Sequence, residues 1–292
     1  MNLNLLQTFV MVAREGGFRN AAEKHFLTPS AVSSRIRLLE EEIGAQLFER
    51  GQFGTRLTLS GQRLLDNAED MLAAWNRVRR DAAIPAKARQ ILAIGATDTI
   101  WQSLLMGAVS SMHVNDPMLA LRMETGTAES LTRDVLDGTL DAVCLFDPPL
   151  LPVLKAEMVG EVPLILVSTH PAPSVEKVFS GDFIQIEWGR ADGALQAQIP
   201  DSVSASMIRT SVGWLGLQWL LQQGGSAYLP ESLAEPYLQT SKLFRVPDAP
   251  VLKRTVHLIY PVQSVESHPE TAKLMLGLAD CIKQDTLRHF SR

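Results

Sequence analysis

Helical periodicity fills the first ninety residues, and the remainder alternates short apolar runs with amphipathic segments. Over residues 3–14, Leu3, Leu6, Phe9, Val10 and Ala13 recur at helical spacing, and Gly16-Gly17 ends the pattern. A short second helix is predicted over 20–26, with Ala21, Ala22 and Phe26 on one face, where the alanines admit a close neighbour. Thr28 then stands where a helix cap is needed and Pro29 at the first helical position, whose N–H would be unpaired in any case. Val32, Ile36 and Leu39 form the core side of this third helix, and Gly44 breaks it. Residues 49–58, with Gly51 and Gly54 between short extended pieces, read as a β-wing. A longer helix over 60–83 takes Ser60 as its cap and carries Leu64, Leu65, Ala68, Met71, Leu72, Trp75 and Val78 as one apolar stripe. Residues 85–90, opening on Pro85-Ala86-Lys87-Ala88, read as a hinge.

Beyond the hinge, strands are predicted over 91–96, 119–124, 141–146, 162–168, 183–187, 227–230 and 256–260, and helices over 99–113, 128–136, 212–223 and 269–288. Such alternation predicts an α/β domain. Two crossings of the chain imply two lobes joined by paired hinge strands, as in periplasmic solute-binding proteins.

The second and third helices, the tight break between them and the basic wing form a helix-turn-helix pattern. Ser30, Ser33, Ser34, Arg35 and Arg37 face away from the predicted core, with Thr28 and Ala31 in the same first turn. Short hydroxyls can approach base edges in a major groove, while arginines and a helix N-terminus can meet phosphates. Arg50 and Arg56, flanking the wing, are placed to lie along the duplex backbone. The alternative is a solvated face in an ordinary helical domain.

The residues that separate these readings are Leu6-Gln7-Thr8-Phe9, Gly17-Phe18, Ala21-Ala22, Ser30-Ala31-Val32-Ser33, Ile36, Leu39-Glu40, Gly44, Leu47-Phe48-Glu49-Arg50 and Leu57-Thr58-Leu59-Ser60-Gly61. In these positions the chain resembles the LysR-type transcriptional regulators. It departs from them at Pro29, where the family often carries a glutamine able to bond to DNA. The resemblance implies a multi-domain protein: a winged helix-turn-helix domain (1–59), a linker and dimerisation helix (60–84), the hinge (85–90), and a two-lobed α/β, periplasmic-binding-protein-like effector domain (91–292). Lobe one is then 91–161 with 263–292, and lobe two is 162–262. It also implies double-stranded DNA and a small-molecule effector as partners, a homodimer that can pair again into a tetramer, and contact with RNA polymerase if the protein activates. Trp75, Ile100-Trp101, Glu187-Trp188-Gly189 and Tyr228-Leu229-Pro230 are similar to a subgroup typified by a repressor of a flagellar operon.

Charge sharpens this picture. The 292 residues carry a net charge of −5, but the first ninety hold 13 Lys/Arg against 10 Asp/Glu and the rest 14 against 22. A locally basic surface on an acidic chain suits site-specific DNA binding, because phosphates respond to the local patch. No apolar run approaches a membrane span and no signal-peptide pattern opens the chain, so a cytoplasmic protein is expected. Cys144 and Cys281 are far apart and each sits among apolar residues; a buried role is expected, with redox control as the alternative. The histidines form no ligand cluster, and neither a metal nor a cofactor is expected. The chain lacks G-x-S-x-G, Walker and H-E-x-x-H motifs, which speaks against an enzyme on the solute-binding-like fold; a small-molecule carrier leaves the N-terminal helices unexplained.

Ligands of open α/β sheets bind beyond the carboxyl ends of strands. Three turns qualify: Thr97-Asp98-Thr99, Gly126-Thr127-Ala128 and Arg209-Thr210-Ser211, with Trp101 and Trp188 as an aromatic lining. Their hydroxyls suit a small polar or anionic effector, although helix capping alone selects the same residue types. Asp98 already occupies a positive helix end, so amine-bearing and neutral effectors fit as well as anions.

Overall fold

The computed structural model describes residues 2–51, 54–84, 86–171, 174–180, 182–189 and 207–290. The chain divides into two compact units, Met1–Ala83 with Leu136–Thr139, and Ile84–Val135 with Leu140–Arg292.

The N-terminal unit contains α1 (Leu3–Arg14), α2 (Phe18–Lys24), α3 (Pro29–Ile43), the wing strands β1 (Phe48–Gly51) and β2 (Gly54–Leu57), and α4 (Leu59–Ala82). Leu6, Phe9, Ala21, Ala22, Val32, Ile36, Leu39 and Leu47 are buried together, and the Phe48 ring lies 5.4 Å from both Phe9 and Phe18. The Thr28 hydroxyl accepts the Ala31 N–H, Pro29 is at the first helical position, and Gly44 ends α3 at φ +74°. Glu40 on α3 accepts the N–H groups of Leu47 and Phe48 at 2.8 and 3.2 Å, fastening the wing to the helix.

Three expectations for this unit are corrected. Phe26 is not on the buried face of α2: it follows the helix at φ +55° and is 97 % exposed. Leu27 N–H closes back on the Ala22 carbonyl at 2.9 Å, the 6→1 bond of a Schellman turn, so Phe26 occupies the left-handed position and Leu27 takes the core. Thr58, not Ser60, caps α4, accepting the Gly61 N–H at 3.0 Å. The apolar stripe of α4 is two faces: Leu64, Leu65, Ala68 and Leu72 join the core, whereas Met71, Trp75 and Val78 are exposed.

In the second unit β3 (Gln90–Ala96) runs parallel to β4 (Leu119–Thr125) and β5 (Ala142–Leu145). β5 is antiparallel to a long strand, here β11 (Leu252–Pro261), and β11 to the longest, β6 (Leu154–Ser168). β9 (Ser226–Pro230) and β10 (Phe244–Arg245) complete the seven-stranded sheet on β6. A separate parallel pair is formed by β7 (Ile184–Ile186) and β8 (Ile208–Thr210). β6 and β11 therefore serve both lobes. β6 was expected only from residue 162 because Lys155, Glu157 and Glu161 interrupt any apolar run; its backbone continues because β11 pairs along it.

Among the described residues the helices are α5 (98–115), α6 (Ala128–Leu136), α7 (Val175–Ser180), α8 (Gly213–Gln223), α9 (Glu231–Gln239), α10 (Val262–Ser267) and α11 (Pro269–Phe290). α5 is composite, an α-turn Asp98–Ile100, a π-helical turn Trp101–Leu105 and an α-helix Met106–Asn115. Leu92, Ile94, Ile100, Leu105, Leu164, Leu217, Leu229, Leu258 and Ile282 share one buried cluster, so both lobes draw on a common core. Ala93, Leu131, Val135, Leu140 and Val143 pack the opposite face of the sheet. Pro85 of the expected hinge lies outside the described residues. Among the described residues no helix is long and apolar enough to cross a membrane.

Candidate nucleic-acid interface and effector cleft

On α3, Ser30, Ser33, Ser34 and Arg37 fall at i, i+3, i+4 and i+7 and so share one face. With Gln46, Phe48 and Glu49 from the wing base they line an open groove of about 730 Å³. Small hydroxyls let a second backbone approach this face closely, and Arg37 projects at its far end, linked to Glu41 at 3.6 Å in an exposed and therefore weak pair. Thr28 is occupied as the cap, with its hydroxyl 3.1 Å from that of Ser30. Ala31 is half-buried. Arg35 is not on the groove face: it leans towards α1, Nη1 donating to the Thr8 hydroxyl at 3.4 Å. In the wing, Arg56 stands opposite Glu49, and Arg50 opposite Thr55; the Arg50 side chain lies outside the described residues.

The predicted effector turns separate into two kinds. Gly126 and Thr127 build a cap: Thr127 accepts the Ser130 N–H at 3.1 Å, and a Cβ on Gly126 would lie 2.7 Å from the Ser130 hydroxyl. Thr210 likewise accepts the Val212 N–H at 3.1 Å, while Ser211 is exposed. Trp101 is buried and its indole N–H is spent on the Glu124 carbonyl at 2.8 Å. It opens the π-helical turn, a rare geometry often found at functional sites. Asp98 accepts both its bonds from Gln102 Nε2, at 2.9 and 3.0 Å, and so is turned along its own helix.

Thr97, Thr99 and Trp188 behave differently. Among the described residues, Thr97 makes no capping bond and its buried hydroxyl has no partner, and the Trp188 indole N–H is also buried without one. The start of α8 joins them: a Cβ on Gly213 would lie 2.8 Å from Trp188 Cη2 and 3.1 Å from Thr99 Oγ1. The lobe-one turn after β3 and the lobe-two turn after β7 thus meet at one place.

Two charged residues missing from the sequence reading belong to the same place. Arg254 on β11 is 5 % exposed, donates from Nη2 to Asp147 Oδ1 at 2.9 Å, and has its guanidinium carbon 5.2 Å from the Phe146 ring centre. Gly189, at φ +106°, faces this pair: a Cβ there would overlap the Asp147 carboxylate and lie 2.8 Å from Arg254 Nη2. A signal for Arg254 existed in the alternation Leu252, Arg254, Val256, Leu258, which puts an arginine on the buried side of a strand. It was lost because that strand was expected only from residue 256.

Cys144 and Cys281 are both free thiols. Cys144 is fully buried, and burial pushes its thiol well above the usual cysteine range.

Residues 3–62 match the family described as bacterial regulatory helix-turn-helix protein, lysR family, and residues 86–275 match the LysR substrate binding domain. Among curated relatives, the HTH-type transcriptional regulator HdfR of Yersinia enterocolitica is 30 % identical over 89 % of this chain and 90 % of its own. HdfR of Yersinia pestis is 32 % identical with the same coverage. Among solved structures, a full-length OxyR variant from Pseudomonas aeruginosa superposes with a TM-score of 0.60 at 23 % identity, covering 97 % of this chain and 95 % of that one. ArgP from Mycobacterium tuberculosis gives 0.57 at 20 % identity, over 95 % and 96 %. These structural likenesses concern the fold.

Proposed function

The chain belongs to the LysR family of transcriptional regulators, with a DNA-binding helix-turn-helix domain followed by an effector-binding domain, and we propose how its own residues divide that work. The groove face Ser30, Ser33, Ser34 and Arg37 reads the major groove, with Thr28 and Ala31 at the leading turn and Arg50 and Arg56 of the wing on the duplex backbone. Arg35, on the flank towards α1, serves a phosphate rather than a base. The open i, i+3, i+4, i+7 face beside the wing is the observation that carries this reading.

Met71, Trp75 and Val78 on α4 pair with the same residues of a second copy, and a further contact through the effector domains can give a tetramer. A small molecule bound between the lobes, at Thr97, Thr99 and Trp188, shifts the balance between two arrangements of the paired subunits; this requires a different affinity for each. Trp101, Gly126, Thr127, Thr210 and Ser211 shape that cleft from behind, through caps and backbone bonds. The protein acts in the cytoplasm as a regulator and not as an enzyme. Control through Cys144 is disfavoured, because its fully buried thiol, held protonated by that burial, is a poor nucleophile.

The test is selection of genomic fragments by the purified protein at two salt concentrations. Enrichment of sites with dyad symmetry is expected. Retention without sequence preference, lost as salt rises, would leave only electrostatic binding and overturn the assignment of the reading face.

A further inference from the structure

Resting on the reading of α3 as the helix that enters the major groove, we infer that Phe26 is a further DNA-contacting residue, whose ring packs on an apolar part of the duplex, a deoxyribose or a thymine methyl. Phe26 and Ser241 are the two non-glycine residues at positive φ among the described residues. At φ +55° the Phe26 backbone is in the left-handed region, where a side chain crowds its own carbonyl and glycine or asparagine is at ease. Its ring is also 97 % exposed, so the free protein gains nothing by burying it. The turn requires a left-handed residue at this point, but not an aromatic one. Phe26 therefore weakens the isolated chain on two counts, and backbone outliers of this kind collect at binding sites.

Its place supplies the partner. The turn is held on both sides: Leu27 packs into the core with its N–H on the Ala22 carbonyl at 2.9 Å, and Thr28 caps α3 by accepting the Ala31 N–H at 3.2 Å. A ring fixed there stands two residues ahead of the α3 cap, beside the end of the helix that a helix-turn-helix directs at base edges. Its exposed neighbours Lys24, His25, Thr28 and Ser30 are polar, which suits nucleic acid better than the contiguous apolar patch that a protein partner covers. Pro29, exposed at the first helical position, adds carbon and no N–H to the same leading edge. The side chains of Phe26 and Pro29 can offer DNA contact with carbon and no hydrogen bond. Sugar faces and the thymine C5 methyl are carbon surfaces that a duplex presents in its grooves.

The experiment measures binding of the full-length protein to the genomic duplex that it enriches most in fragment selection, over a range of salt, together with Tm in the absence of DNA. Phe26→Gly and Phe26→Asn are expected to raise Tm, since both residues suit a left-handed turn, and to weaken binding about tenfold. The slope of log affinity against log salt should not change, because the ring neutralises no phosphate. A loss that arose from a displaced α3 would change that slope, as arginine contacts went with it. Phe26→Tyr, which keeps the ring, should bind within about threefold of wild type. Replacing thymidine by deoxyuridine one position at a time removes only the C5 methyl. A loss at one position in wild type but not in Phe26→Gly puts the ring on that methyl; any other pattern, with Phe26→Gly still weak, puts it on a sugar. Glycine and asparagine variants that bind as wild type, a lowered Tm, a changed salt slope, or Phe26→Tyr no better than Phe26→Gly overturns the inference. Ser33→Glu in the same assay reports on the reading face. If it loses the site while Phe26→Gly keeps it, α3 remains the reader and only the Phe26 contact falls; if Ser33→Glu binds as wild type, both fall.

Discussion

Trp188 presses the edge of its ring against the backbone of Gly213, so that a Cβ added at 213 would lie 2.8 Å from Cη2. One residue follows β7 and the other begins α8, and their contact brings the indole beside Thr99 of the other lobe.

Gly213→Ala is therefore expected to destabilise the effector domain by about 1–3 kcal/mol, the usual cost of forcing extra volume into a packed site. Thermal denaturation reads this directly. The strain is mutual, so in a Trp188→Ala background the same substitution should cost less than about half as much, a coupling expected of touching residues. Additive effects would mean that the two side chains accommodate each other without resistance.

On α3, the proposed reading helix, Ser33→Glu puts a carboxylate on the groove face and Arg37→Ala removes its long cation. Both should leave stability within about 0.5 kcal/mol of wild type in thermal denaturation, since neither side chain is in the core. Ser33→Glu should abolish site-specific binding. Arg37→Ala should weaken it by about 1–3 kcal/mol if the arginine reaches a base. Arg35→Ala, on the α1 flank, should instead lower affinity evenly across sequences and reduce the salt slope. Selection of the same sites by all three proteins would place the reading face elsewhere.

Much of the DNA-reading unit was legible because its boundaries are written in single residues. Thr28, Pro29 and Gly44 each have a local physical job, and α3 begins and ends at them. Where two residues could do one job the sequence was ambiguous: Thr58 and Ser60 both offer a hydroxyl, and Thr58 caps α4 because its backbone is extended at the end of the wing and its hydroxyl also donates to the Gln46 carbonyl. Phe26 misled for a different reason, since helical spacing marks an aromatic as core and gives no warning of a left-handed turn. The candidate effector cleft was least legible. Asp147 follows β5, Gly189 follows β7 and Arg254 is on β11, and no local pattern connects residues 107 positions apart.

Those crossing strands carry a pH-sensitive contact. Glu157 on β6 accepts from Lys155 Nζ at 2.6 Å and from the Tyr260 hydroxyl on β11 at 2.7 Å. The bond from Lys155, then that from Tyr260, holds the Glu157 carboxyl below its ordinary range. A depressed folded-state value means stability that is present above the unfolded carboxylate range and disappears as pH falls through the folded value. Glu157→Gln should accordingly lower Tm at neutral pH, with the difference from wild type shrinking to nothing in acid. A Tm difference that stayed constant from neutral to strongly acid pH would show that the carboxylate charge contributes nothing.

The linker helix gives the last prediction. Met71, Trp75 and Val78 are 39, 42 and 57 % exposed, whereas Leu64, Leu65, Ala68 and Leu72 of the same helix pack into their own unit. A lone exposed apolar residue is ordinary, but three at i, i+4 and i+7 form a continuous stripe that a second helix can cover. In a two-fold dimer the same residue meets its partner from both copies, so one substitution acts twice. Burial of a large apolar side chain is worth about 1.5–3 kcal/mol, so Trp75→Glu removes up to about twice that from the dimer and adds repulsion between two carboxylates. The variant should sediment as a monomer at concentrations where wild type is a dimer. Its thermal stability, measured where both are monomeric, should be unchanged, because Trp75 is outside the core of its own unit. Affinity for a dyad-symmetric site should fall steeply while that for a half-site stays constant. A Trp75→Glu protein that remains dimeric would move the subunit contact off α4 and onto the effector domain.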